Sequence, residues 1–112
     1  MYRMAFVEIH NFFSSDYFKG VPIHECKQAI LEAFSELLPS QKATEESVVF
    51  SCPKDPLADA GSETLVIRVL PLDREIAGFE NNLATKIKEK VGKVRKGNVL
   101  PIVYSPEKIT YI

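Results

Sequence analysis

The chain has 112 residues, of which 46% are hydrophobic and 26% are charged, and its formal net charge is −1. These values are typical of one globular domain, and they give no general attraction to nucleic acid or acidic membranes. No apolar run approaches the roughly 20 residues of a membrane-spanning helix. The first apolar residues alternate with polar ones and Glu8 interrupts them, so we expect no signal peptide and a cytoplasmic protein.

The two cysteines and two histidines are too scattered for a metal site. In the cytoplasm Cys26 and Cys52 are expected to be free thiols. Cys26 also lies on the apolar stripe of a predicted helix, which favours a place in the core. No spacing typical of metal ligands joins these residues to His10 or His24, so we predict no metal and no cofactor.

The first half of the chain predicts a strand, a helix and a second strand. Residues 5–11 alternate with a period of two, which predicts the first strand. A loop follows, and Pro22 suits the first turn of a helix. From there to Leu38 apolar residues recur at spacings of three and four, which predicts an amphipathic helix. Ser47–Cys52 then predicts a short strand.

The second half predicts the same succession. Thr64–Leu70 is apolar on both faces except at Arg68, which predicts a central strand with both faces covered. Asp73 is a candidate cap for a second helix over residues 76–94. Val99–Tyr104 predicts the last strand of the domain.

The predicted order is therefore β-α-β-β-α-β in one domain, residues 1–112. The fold class is α/β (α+β), with two β-α-β units forming a four-stranded mixed sheet and both helices on one face. A ferredoxin-like fold has the same element order. We expect strand 1 to lie beside strand 2 and parallel to it in the first fold, and beside strand 3 in the ferredoxin-like alternative.

The strand Phe6-Val7-Glu8-Ile9 after Met4, and Leu65 to Asp73 followed by Arg74 and a helix, carry a family resemblance. With the element order, they make the chain similar to the tautomerase superfamily, which includes macrophage migration inhibitory factor. That resemblance implies keto–enol chemistry by an N-terminal proline, whose secondary amine acts as the base.

The residue aligned with this proline is Ala5, and Met1-Tyr2-Arg3 and Met4 precede it. An internal alanine has an amide nitrogen, which is not a base, so we expect no proline-dependent tautomerase activity. Translation from Met4 and removal of that residue would instead expose an Ala5 amine that could accept a proton or form an imine.

Four further residues are candidates for a site. His10 shares a strand face with Phe6 and Glu8, and is either a base in a pocket or a histidine at the surface. Arg68 is expected to pair with Glu8 or to bind an anionic ligand. Arg74 begins the second helix, and the resemblance implies that arginines near strand ends bind keto-acid carboxylates. Phe12 could line an apolar pocket.

The sheet face opposite the helices also needs a cover, which predicts a homo-oligomer. The resemblance implies a trimer, in which the apolar tail Ile109–Ile112 adds to a neighbour's sheet. Residues 86–96 hold six basic residues and one acidic residue. They are interpreted as the solvated face of a helix rather than a nucleic-acid site, because no aromatic RNA-binding signature accompanies them.

Three functions stay open at this point. The first is a tautomerase-like protein of uncharacterised function without proline-dependent keto–enol activity. The second is an active tautomerase, an isomerase of small keto acids, that uses the Ala5 amine or His10. The third is a ferredoxin-like binding or assembly module that uses the basic helix.

Overall fold

A computed structural model describes residues 4–10, 23–38, 43–44, 46–52, 64–73, 76, 78–94 and 98–105. The element order is the predicted one. The elements are β1 (Ala5–His10), α1 (Ile23–Leu37), β2 (Val48–Ser51), β3 (Thr64–Pro71), α2 (Glu80–Val94) and β4 (Asn98–Val103).

Helix α2 begins later than the predicted residue 76. Ile76 donates a backbone hydrogen bond to Asp73, and Phe79 donates one to Ile76, so a turn occupies this segment. Gly78 has a φ of 87°, a left-handed conformation that glycine adopts readily and that ends a helical run. The regular helix therefore starts at Glu80, whose carboxylate accepts a hydrogen bond from the Gly78 N–H at 2.9 Å.

The four strands form one sheet in the order β2-β1-β3-β4. Each β-α-β unit pairs its own two strands in parallel, β1 with β2 and β3 with β4. The two units join through the antiparallel pairing of β1 with β3. The predicted four-stranded mixed sheet with two helices is confirmed.

The ferredoxin-like alternative is wrong. In that fold β3 lies between β1 and β2, whereas here β1 and β2 are hydrogen-bonded directly. Strand β1 also lies beside β3. We expected this pairing only in the ferredoxin-like fold, so the pairing of β1 with β3 does not distinguish the two folds.

The core lies between one face of the sheet and both helices. Every second residue of β1 and β3 is buried, as the strand period requires. The helices bury residues spaced by three and four positions and pack against each other. The fully buried side chains include Val7, Ile9, Cys26, Ile30, Phe34, Leu65, Ile67, Val69, Leu83, Ile87 and Val91.

The opposite face, called the open face below, carries Phe6, Glu8 and His10 of β1 and their partners on the neighbouring strands. We expected β3 to be covered on both faces, but Arg68 and Leu70 are exposed on this side and Val66 is half-buried. Among the described residues, no helix packs on the open face of the sheet.

An ion-pair cluster joins the two helices. The carboxylate of Glu36 lies 2.6 Å from the Lys90 ammonium and 3.2 Å from that of Lys86. The hydrogen bond from Lys90, and to a smaller extent the one from Lys86, lowers the pKa of Glu36. The hydrogen bond to Glu36 raises the pKa of Lys90. Lys86 and Lys90, two of the basic residues predicted on this helix, thus bind Glu36 of α1.

Replacing Glu36 with glutamine should lower the melting temperature at neutral pH. The lowered pKa of Glu36 means that its contribution is present above its ordinary value of 4.5 and is lost as the pH falls through the folded-state value. The raised pKa of Lys90 means that its share is present below 10.5 and is lost as the pH rises through its own folded-state value. Thermal unfolding followed by circular dichroism should therefore show a lower melting temperature for the variant than for the unaltered protein at pH values between 4.5 and 10.5. This difference should shrink in acid and in high salt.

The matched control for this measurement is Glu89→Gln, which removes an exposed pair within α2, 3.5 Å from Lys93, and leaves both contacts of Glu36 in place. It should lower the melting temperature less than Glu36→Gln. Equal melting temperatures for Glu36→Gln and the unaltered protein at pH 7 would show that the cluster does not stabilise the helix pair.

Candidate functional site

A cavity of about 460 Å³ lies on the open face. Its walls come from β1, from the two strands β2 and β3 that flank it, and from the residue after β4. On the open face the apolar lining consists of Phe6, Val49 and Leu70, and the polar lining consists of Glu8, Ser51, Arg68 and Tyr104. Val7, whose side chain is buried in the core, also borders the cavity. Such a mixture of apolar walls and a few convergent polar groups is typical of small-molecule sites.

The register of the sheet brings these residues together. Glu8 is the cross-strand partner of Arg68 on one side and of Ser51 on the other. Phe6, two residues earlier, is paired in the same way with Leu70 and Val49. Because side chains two residues apart share a face, these six side chains form two adjacent rows across the sheet.

The Arg68 guanidinium is held by Tyr104. Its Nε donates a hydrogen bond to the Tyr104 hydroxyl oxygen at 3.0 Å, and its Nη2 donates to the same oxygen. The guanidinium carbon lies 5.4 Å from the centre of the tyrosine ring. The hydrogen bond to Tyr104 is the main cause that raises the pKa of Arg68, and the nearby charge of Glu8 adds to it. Arg68 is therefore a fixed positive charge in the cavity.

The position of Tyr104 follows from the β3–β4 ladder. Its N–H donates to the carbonyl of Val69 at 3.0 Å, which extends the parallel pairing of the two strands by one residue. Sequence reasoning placed Tyr104 at the end of the last strand but did not connect it with Arg68. The connection depends on the parallel register of β3 and β4, for which the sequence carries no local signal.

Glu8 contacts His10 rather than Arg68. The Nε2 atom of His10 lies 2.9 Å from Oε2 of Glu8, and the two residues are neighbours on the open face. The ion pair that we predicted between Arg68 and Glu8 is not formed among the described residues, although the two are cross-strand partners and attract each other. His10 itself is not among the described residues that line the cavity.

Ala5 lies on the opposite side of the sheet from these residues. Its side chain is fully buried in the core. The preceding residue, Met4, is also fully buried, and its N–H donates to Ser47 at 2.7 Å while its carbonyl accepts hydrogen bonds from Leu72 and Asp73 at 2.9 and 3.3 Å. Met4 and Ala5 thus continue one backbone ladder, in which the Ala5 nitrogen is a peptide amide.

Two other predicted site residues, Arg74 and Phe12, lie outside the described residues, as does the tail Ile109–Ile112. Within the described ranges, no group of three or more His, Cys, Asp or Glu residues could hold a metal ion. Neither Cys26 nor Cys52 forms a disulfide, and partial burial raises the pKa of Cys52 against the opposing effect of Lys27. None of the described helices is long and apolar enough to cross a membrane.

No protein-family model and no curated protein matches the chain. The solved structures that resemble its fold include two that match over nearly the whole chain. A protein of unknown function from Vibrio cholerae O1 biovar eltor strain N16961 has a TM-score of 0.59 and 14% identity, over 98% of this chain and 84% of that one. A structure described as "Q0 fused 4-OT wild type symmetric trimer" has a TM-score of 0.52 and 16% identity, over 96% of this chain and 90% of that one.

The 4-OT trimer is a protein of the tautomerase superfamily. At 14% and 16% identity these likenesses concern the fold alone. They extend over nearly the whole chain, in agreement with the strand order found here. The chain thus shares its β-α-β fold with these two structures.

Proposed function

We propose that this chain is a tautomerase-like protein that forms a cytoplasmic homotrimer, lacks proline-type amine catalysis, and binds a small 2-keto acid in the open-face cavity. The observation that carries the proposal is the Arg68 guanidinium, which Tyr104 fixes in a largely apolar cavity.

The chemistry of the cavity favours a small organic acid as its ligand. Two guanidinium N–H groups of Arg68 bond to Tyr104, and the remaining ones can bind a carboxylate. Phe6, Val49 and Leu70 offer apolar contact for a short carbon chain. The volume of about 460 Å³ lies in the usual range for small-molecule sites.

The surroundings of Ala5 argue against amine catalysis at this position. An amine there requires cleavage after Met4, which would remove a fully buried side chain and three backbone hydrogen bonds. The Ala5 side chain also faces the core rather than the cavity. The arrangement supports a retained Met4 and an inactive amide at Ala5.

The open face supports an assembly of like chains. Four large apolar side chains are 37% to 49% exposed there, namely Phe6, Leu70, Leu100 and Tyr104. Exposed apolar side chains grouped on one surface usually mark an interface. Leu100 is the most exposed of them and lies on β4, which ends the sheet. Leu100 is the cross-strand partner of Val66, which in turn is paired with His10. Along β3, Val66 and Leu70 lie on opposite sides of Arg68, so Leu100 is on the side away from Leu70. A subunit contact at Leu100 would therefore leave room for the cavity.

Reductive trapping tests the state of Ala5. The native protein is treated with pyruvate and cyanoborohydride, and the modified peptides are mapped by mass spectrometry. We expect no peptide that begins with a modified Ala5, because an amide nitrogen forms no imine. An adduct on an N-terminal Ala5 would contradict the proposal and favour a chain that is processed after Met4.

Replacing Arg68 with glutamine should weaken pyruvate binding by about tenfold or more, because the carboxylate loses its charged partner. Titration followed by NMR chemical shifts measures the dissociation constant. Lys88→Gln, at an exposed position of α2, removes one positive charge far from the cavity and is the matched control. Equal weakening by both substitutions would indicate a general charge effect instead of a site at Arg68.

Replacing Leu100 with aspartate should convert the trimer into monomers. A charge at a buried apolar contact carries a large desolvation cost. Sedimentation equilibrium should give three times 12.6 kDa for the unaltered chain and 12.6 kDa for the variant. Phe79→Asp is the control, because Phe79 is 48% exposed but lies outside the sheet. A monomeric unaltered chain would contradict the proposed assembly.

A further inference from the structure

We propose that Glu8 and Tyr104 form an acid–base pair that moves a proton on the bound keto acid, with Glu8 as the base and Tyr104 as the acid. This inference rests on the proposed binding of a 2-keto acid at Arg68. It supplies the site with proton-transfer chemistry that needs no N-terminal amine.

The hydrogen bonds of Tyr104 make its hydroxyl a donor toward the cavity. A hydroxyl has one hydrogen and two lone pairs. Arg68 donates to the oxygen through both Nε and Nη2, so these lone pairs are already used. The O–H hydrogen is the part of the group that can reach a ligand, and a carbonyl oxygen is the natural acceptor. The guanidinium beside the phenol oxygen stabilises the negative charge that forms as the proton leaves.

Glu8 provides the acceptor in the same cavity. Its carboxylate lines the wall, and it lies directly across from Arg68 in the register of β1 and β3. As the proposed base, Glu8 is ionised and only accepts hydrogen bonds, which requires that Nε2 of His10 donates in their contact. This contact uses Oε2 and leaves Oε1 as the basic oxygen. Glu8 is chosen over His10 because Glu8 lines the cavity and His10, among the described residues, does not.

The proposed step is an enolisation. The ligand carboxylate binds Arg68, and the C–H bond next to the ketone breaks as its proton moves to Oε1 of Glu8. The electron pair forms a carbon–carbon double bond, and the ketone oxygen takes the proton of Tyr104. The products are the enol, protonated Glu8 and a Tyr104 phenolate beside Arg68. Water at the open face returns the proton from Glu8 to Tyr104, and no oxidant or cofactor takes part.

Deuterium exchange into pyruvate tests the step. The full-length protein is mixed with pyruvate in D₂O, and proton NMR follows the loss of the methyl signal, because each enolisation exchanges one of these hydrogens. Binding is measured in parallel by titration. We expect catalysed exchange by the unaltered protein, and a loss of about 100-fold or more in Glu8→Gln, which keeps the shape of the side chain but is not a base.

Tyr104→Phe removes the acid and should also slow the exchange strongly, whereas Lys88→Gln should leave it unchanged. Circular dichroism verifies that each variant is folded. If pyruvate binds at Arg68 but no exchange occurs, or if Glu8→Gln exchanges as fast as the unaltered protein, the acid–base inference is overturned while the proposed binding function stands. If the unaltered protein does not bind pyruvate, the proposed function fails and the inference fails with it.

Discussion

The antiparallel pairing of β1 with β3 is the constraint on which the rest of the structure depends. It joins the two β-α-β units into one sheet and places Glu8 opposite Arg68. Because side chains alternate along a strand, the same register sends Val7 and Val69 together into the core. A shift of one residue would bring the charged side chains under the helices, where an unpaired charge is very costly. The packing of the core and the position of the charged side chains on the open face therefore require the same register of β1 and β3.

This alternation separates the structural residues of β1 from the chemical ones. Ala5, which the sequence resemblance aligns with the catalytic proline of the tautomerase superfamily, is buried among core residues, and Met4 before it is hydrogen-bonded on both sides. Glu8, three residues further along, faces the cavity. We propose that the reactive group of this chain lies in the middle of β1, so a chain that continues through Met4 can still place a base beside a bound acid.

Much of the fold could be predicted from the sequence, because periodicity reports directly which side of an element is buried. The order of six elements and the alternation in β1 follow from apolar spacing alone. Strand order does not, since the ferredoxin-like fold has the same succession of elements and also places strand 1 beside strand 3. The late start of α2 was missed because the apolar spacing continues through Ile76 and Phe79, whereas the backbone at Gly78 interrupts the helix.

The candidate site could be predicted only in part. Arg68 was recognisable as a charge within an apolar strand, and its attraction to Glu8 was expected. Its actual hydrogen-bond partner, Tyr104, is 36 positions away along the chain, and only the parallel register of β3 and β4 brings the two together. Long-range pairing decides such contacts, and local patterns do not encode it.

The most direct test of the central claim, that the open-face cavity is the functional site, is a crystal structure of the protein soaked with pyruvate. The account predicts the carboxylate within hydrogen-bonding distance of the Arg68 guanidinium and the ketone oxygen against the Tyr104 hydroxyl. Pyruvate bound at another position, with the cavity between Phe6 and Leu70 empty, would contradict it.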